Sequence, residues 1–452
     1  MGTEVGQSAL PAAAPAAVVA AAKEHLAALL RFDTTNPPGN EGPAAEYVAA
    51  ALAAGGIEAE VLRSPAGRPN VVARLAGSGA RAPLLVHGHL DVVTAEPERW
   101  THPPFAAVEA DGCLWGRGAI DMKNMVAMAT ACLVGMKQAG LAPARDVIFA
   151  AVSDEEAGCE HGSKFLVDEH PGKLRAEFAL GEGGGFSVPF AGRRFYPIMV
   201  AEKGLAWLRV VAEGTPGHGS MPDPDSAVHK LARALGRIAS VRLPHHASPV
   251  VDEFVAALAR RAPLPTALVL RMLLVPRLRD LVLDRLFPDP ALARPFAAIL
   301  ANTVSPTVLR AGEKTNVIPG RATAELDGRT LPGQTTADLI RELEQVAGPE
   351  VRFEVIDEAP PTATSPDTAL FRHLCATIRR HDPEGIPIPA LVPGFTDAKH
   401  YARLGVKCYG FLPLRLPPEL NFAAMFHGDD ERIPVDGLAW GTRVLWDAIL
   451  GA

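Results

Sequence analysis

Two histidines and several carboxylates stand where apolar runs of this 452-residue chain give way to polar turns. Imidazole and carboxylate together suit a divalent cation held through nitrogen and oxygen. In LLVHGHLDVV, residues 87, 89 and 91 share one face if the segment stays extended, because strand side chains alternate. His89 and Asp91 then suit a metal ligand and the carboxylate that fixes its tautomer, while His87 reads as structural. In GRGAIDMKN, Asp121 follows a Gly-rich turn and opens a helix, where a lone Asp is more often a cap. VIFAAVSDEEAG crowds Asp154, Glu155 and Glu156 past an apolar run, an arrangement that calls for a cation or a solvated loop. FALGEGGGF places Glu182 at another run's end, and FHGDDERIP supplies His427 after a Pro-rich stretch. Singly, each has a bland explanation. Jointly they are enough for two metals sharing a carboxylate, and the chemistry of such a pair is hydrolysis.

The elements that must position these residues follow from hydrophobic patterning. Over the first 200 residues, helices near 43–54 and 122–139 alternate with short strands at 57–63, 70–75, 83–86 and 146–152, the pattern of an open, mostly parallel α/β sheet. Ligands in such sheets gather beyond the carboxyl ends of the strands. From Lys203 the character changes. Strands at 204–213, 322–326 and 351–356 with helices at 226–240 and 335–347 form a small α+β unit, interrupted by a helical insertion at about 249–301. Beyond Asp367 the α/β pattern returns. The expected division is therefore 1–202 and 359–452 for a discontinuous large domain, with 203–358 inserted.

Composition narrows the partners. A net charge of −7, with 44 basic against 51 acidic residues, argues against a nucleic-acid groove. Five scattered cysteines without a CxxC pair read as thiols in a reducing compartment. The Ala-rich N-terminus lacks the basic region of a signal peptide, and 269–287, apolar but rich in Arg and broken by Pro276, reads as a helical flap or partner surface. A cytoplasmic protein without membrane attachment is expected.

The motifs HGHLDVV, DGCLWGRGAIDMK, SDEEAG, EKG, GTPGHGSMP, TNVIPG and FHGDDERIP, in this order, resemble the co-catalytic zinc peptidases that include the aminoacylases, acetylornithine deacetylase, succinyl-diaminopimelate desuccinylase and glutamate carboxypeptidase. The resemblance spans nearly the whole chain. It implies a mostly parallel-sheet di-zinc catalytic domain with an inserted α+β lid and dimerisation domain. It further implies that His89 binds one zinc, that Glu156 and His427 bind the other, that Asp121 bridges them, that Glu155 is the general base and that Asp91 orients His89. Aminoacylase-like members carry Asp-Glu-Gly where this chain has Gly181-Glu182-Gly183, so the last ligand role passes to Glu182.

By the same resemblance His218 serves the oxyanion, often from a partner subunit, which implies a homodimer. Asn316, Arg329, Gly394 and Thr396 are candidate substrate contacts; for Arg329 a surface ion pair is an equal alternative. Two zinc ions, replaceable by cobalt or manganese, are the expected cofactors. The expected substrate is a small peptide cleaved next to its free carboxylate, with an N-acyl amino acid as the alternative. Leu270, Leu273, Leu274, Leu278 and Leu281 hint at a greasy cover for apolar groups, although a dimer surface would look the same. A catalytically inactive binding protein on the same scaffold is the reading from another class.

Overall fold

Runs that are apolar on both faces form the centre of the large sheet, since only such strands can be covered from both sides. The computed structural model describes residues 13–287, 290–420 and 422–452. The reading of a missing signal peptide therefore falls partly on residues 1–12, outside the described chain. In Arg81–His89 every residue from Leu84 onward is buried, and Phe178–Gly181 is buried throughout. The order in this sheet is Ala59–Arg63, Pro69–Leu75, Arg145–Val152, Arg81–His89, Phe178–Gly181, Lys407–Gly410 and Arg193–Glu202. Its central four strands are parallel and its flanks antiparallel. In register, His89 lies opposite Val152, so the residues that follow the two strands emerge at one edge.

The chain divides into two compact units, one of 1–199, 364–388 and 396–452, the other of 200–363 and 389–395. In the first, the helix Lys123–Gln138 buries nearly all of its residues and packs against Ala16–Leu30 and Val435–Leu450. It starts two residues after Asp121. The cap position belongs to Met122, so Asp121 is not spent on a helix end.

The second unit holds an antiparallel sheet ordered Thr303–Ala311, Arg321–Thr330, Gly204–Glu213 and Val351–Ala359. Ala206, Leu208, Val210 and Ala212 alternate onto the face covered by the helices Ala227–Ser240 and Thr336–Ala347. Ser226 caps the first helix, and Thr335 with Asp338 forms a capping box on the second. Hydrophobic patterning missed several strands, among them Thr303–Ala311, Arg193–Glu202 and Ile386–Val392. The first is largely exposed and so lacks the apolar signal.

Four helices, Pro249–Ala259, Leu264–Leu273, Pro276–Arg285 and Pro290–Leu300, make up the insertion. Of the leucines expected to form a greasy cover, Leu270 and Leu273 are buried, whereas Leu281 is 53% exposed. No helix among the described residues is long and apolar enough to cross a membrane. All five cysteines are free and four are buried.

Candidate metal centre

His89 closes its strand, and the turn after Arg145–Val152 carries Glu155 and Glu156 in a single 3-10 turn entered through Asp154 in the left-handed region. Glu182 follows Phe178–Gly181 directly. His427 has φ 58° and follows the short turn Phe422–Ala424. These segments, far apart in sequence, bring their side chains to one place. His89 Nε2 lies 3.1 Å from Asp121 Oδ1, and His427 Nε2 lies 3.4 Å from Asp121 Oδ2. His427 Nε2 is also 3.1 Å from Glu156 Oε2, and Glu182 Oε2 is 4.0 Å from His89 Nε2. Asp121 thus offers one oxygen to each imidazole.

The donor atoms of His89, Asp121 and Glu156 lie within 4.8 Å of one another, as do those of His89, Glu155 and Glu182. The chemistry of this set fits divalent cations. Among the described residues Glu156 Oε1 is buried with no hydrogen-bond partner, a costly state for a carboxylate oxygen unless a cation meets it. Burial, reinforced by Asp121 and Glu155, pushes Glu182 well above the usual carboxylate range. Burial likewise raises Glu155, against the charge of His89 and with that of Asp397. Asp121 moves the other way: burial would raise it, but hydrogen bonds with His427 and His89 hold it well below its usual range. His427 is pushed up to about 10 by its contacts with Asp121 and Glu156. Carboxylates so crowded keep their charge only with protons or cations among them, and metal binding replaces the protons.

The residues behind the ligands correct one expectation. His89 Nδ1 is 2.9 Å from the main-chain carbonyl of Asp91 and 3.6 Å from its carboxylate, so Asp91 orients the ring chiefly through its backbone. The strand ends at His89, and the assumed alternation therefore stops short of Asp91. The Asp91 carboxylate instead accepts from the main-chain N–H of Glu155 and of Glu156, each at 3.1 Å. Asn36 Nδ2 donates to Asp91 Oδ2 at 2.8 Å and to Asp154 Oδ1 at 3.0 Å. Arg68 joins Asp154 to the buried Glu41, which accounts for Asp154 as a structural acid. Glu431 accepts from Arg117 Nη1 and from the N–H groups of Gly118, Ile120 and Asp121, fixing the turn that presents Asp121.

Sequence reading missed Asn36, Arg68, Glu41 and the role of Glu431. Only Glu431 left a signal, inside FHGDDERIP. His87 is structural as expected; burial lowers it to about 3 and it packs on Tyr401, ring centroids 4.7 Å apart. It also explains Gly181, since a Cβ there would lie 2.1 Å from His87 Nε2. With position 181 barred to a side chain, Glu182 is the carboxylate that this turn can offer.

In the second unit, His218 and Asn316 come together: His218 pairs with Val317 in a two-stranded ribbon, and Gly219 N donates to Asn316 O at 2.9 Å. His218 Nδ1 lies 2.8 Å from Ser220 Oγ. Arg329 pairs with Asp327 at 2.7 Å and lies over Phe395, 4.6 Å from the ring centroid. Its Nη1 is buried without a hydrogen-bond partner among the described residues. Gly394 belongs to this unit, whereas Thr396, in the first, is buried and accepts from Ala398 N at 3.1 Å.

Residues 85–451 match the model of peptidase family M20/M25/M40. The N-fatty-acyl-amino acid synthase/hydrolase of Bos taurus is 32% identical over 374 residues, covering 80% of this chain and 72% of that protein. A metallo-carboxypeptidase of Sulfolobus solfataricus superposes with a TM-score of 0.72 at 18% identity, over 95% of this chain and 98% of that one. A dinuclear metal-binding peptidase of Bacillus subtilis gives 0.60 at 13%, over 96% and 98%. The chain belongs to peptidase family M20/M25/M40 and is a metal-dependent amide hydrolase.

Proposed function

We propose that this member of peptidase family M20/M25/M40 uses two zinc ions to cleave an amide bond adjoining a free carboxylate. The observation that carries this reading is Asp121, whose two oxygens face His89 and His427. In it His89 and Glu182 would hold one ion, His427 and Glu156 the other, and Asp121 would serve both. When bound, the ions supply Lewis acidity, which lowers the pKa of water toward neutrality and polarises a scissile carbonyl. Cobalt or manganese would serve in the same donor set.

Glu155 is the proton carrier. Its raised carboxyl affinity suits a group that takes a proton from water and returns it to the leaving amine. His218, beside Asn316, donates to the oxyanion of the tetrahedral species. Arg329, held by Asp327 and Phe395 with Nη1 left to donate, grips the substrate carboxylate, and Gly394 and Thr396 are further contacts. A homodimer in the cytoplasm, with the inserted unit as lid and dimerisation domain, completes the reading.

For the substrate, a short peptide and an N-acyl amino acid both present the required amide and carboxylate. The named activity of the Bos taurus relative favours the N-acyl amino acid. The test is kcat/KM over a panel of N-acyl amino acids, dipeptides and the same compounds with the carboxylate amidated. Hydrolysis that is indifferent to amidation would contradict the proposal.

A further inference from the structure

A cavity of about 480 Å³ lies within the second unit, between the helices of the insertion and the edge strand Thr303–Ala311. Sites for small molecules commonly span ~300–1,000 Å³, with apolar walls and a few placed polar groups. Ile238, Leu243, Leu283, Ala297 and Val304 line the apolar part. At the same cavity stand Arg242, Arg279 and Arg294. Arg279 is only 5% exposed, with Nη1 donating to Leu243 O at 3.0 Å and Nε to Asp280 at 2.8 Å. Arg242 pairs with Asp284 at 2.6 Å and lies 3.8 Å from Asp280. Among the described residues, three guanidiniums thus stand at the cavity with the carboxylate of Asp284 on its wall and that of Asp280 beside it, a surplus of one positive charge. None of these residues belongs to the metal centre.

A cavity made by poor packing alone would not bring a buried guanidinium to an apolar wall, because taking that charge out of water is unfavourable. We propose that this cavity is a binding site for a monoanionic amphiphile, an unbranched apolar chain bearing one carboxylate. The chain lies along Ile238, Leu283, Ala297 and Val304, and the carboxylate accepts from the arginines as a forked partner. Free fatty acids and N-acyl amino acids share this chemistry. A cationic amphiphile meets the wrong charge, and a dianionic phosphate exceeds the single positive charge in surplus. The proposal stands apart from the catalytic reading, since it concerns binding in a separate cavity.

The test is titration calorimetry of the metal-loaded full chain with decanoate, decanol and decyltrimethylammonium, and of its Glu155→Gln variant with N-decanoylglycine to prevent turnover. Decanoate is expected to bind. Arg242→Gln should weaken decanoate at least tenfold while leaving decanol unchanged. Ala297→Trp on the wall and Ser305→Trp at the exposed mouth should each abolish the event. If the N-decanoylglycine event that Ala297→Trp removes is tighter than that of decanoate, the acylated amino acid is the source; the reverse order assigns the free acid. The proposal is overturned if decanoate does not bind, if both tryptophan variants bind it like the parent, or if decyltrimethylammonium binds equally well and is displaced by the same variants.

Discussion

The main-chain N–H of Glu156 donates to the carboxylate of Asp91 at 3.1 Å, so an acid past the end of one strand holds the candidate ligand past the end of its parallel neighbour. The same carboxylate receives Glu155 N and Asn36 Nδ2. Asp91→Asn replaces an acceptor oxygen with a donor that faces other donors. Supporting groups of this kind are worth about 10–100-fold in metal affinity or activity. We expect that loss in kcat/KM for Asp91→Asn, and a smaller one for Asn36→Ala, with the fold intact by circular dichroism.

In the proposed mechanism the neighbours Glu155 and Glu156 have different work. Glu155→Gln should lower kcat by about 10²–10⁴-fold, the usual contribution of a positioned acid–base group, while metal content stays at the parental level. Glu156→Gln should lose metal as well as activity. Equal metal loss in both variants would place Glu155 among the ligands, where its distance to His89 and Glu182 also permits it.

Much of this candidate centre was legible in the sequence, because its side chains follow apolar strands and each strand end can be read from composition. His89, Glu155, Glu156 and Glu182 all follow that rule, and the mostly parallel sheet was predicted from the same runs. The supporting network was not legible. Asn36 and Glu41 come from an N-terminal turn, Arg68 from a hairpin, and no local pattern ties them to a turn more than 80 residues away. Asp91 shows the limit of periodicity, since one irregular residue after His89 redirects its carboxylate to a neighbouring turn.

In the proposed mechanism His218 is the contribution of the second unit. His218→Ala should reduce kcat by roughly 10²–10³-fold, as loss of an oxyanion donor does, with bound metal and KM little changed. Parental kcat would remove His218 from the mechanism.

Acid should destabilise the first unit through His400. Its ring is buried and neither nitrogen has a hydrogen-bond partner among the described residues. Burial, aided by Lys399 and Arg403, lowers it to about 3. In the unfolded chain it titrates near ~6.5. Between those values the unfolded state binds more protons, so stability rises with pH and is lost as pH falls from about 6.5 toward 3. His400→Leu should remove up to roughly 1 kcal/mol of that loss between about pH 6.5 and 5.5, measured by denaturant unfolding at the two pH values. An unchanged acid slope would show that the ring takes up its proton in the folded state.

Asp121 joins both halves of the metal centre, and counting metal by plasma mass spectrometry in the parent and in Asp121→Ala tests the account most directly. The parent should carry two divalent ions per chain, zinc when zinc is supplied, and lose activity to a chelator. Asp121→Ala should lose both ions together with hydrolysis. A parent that hydrolyses amides without bound metal, or an Asp121→Ala variant that keeps both ions, would contradict the account.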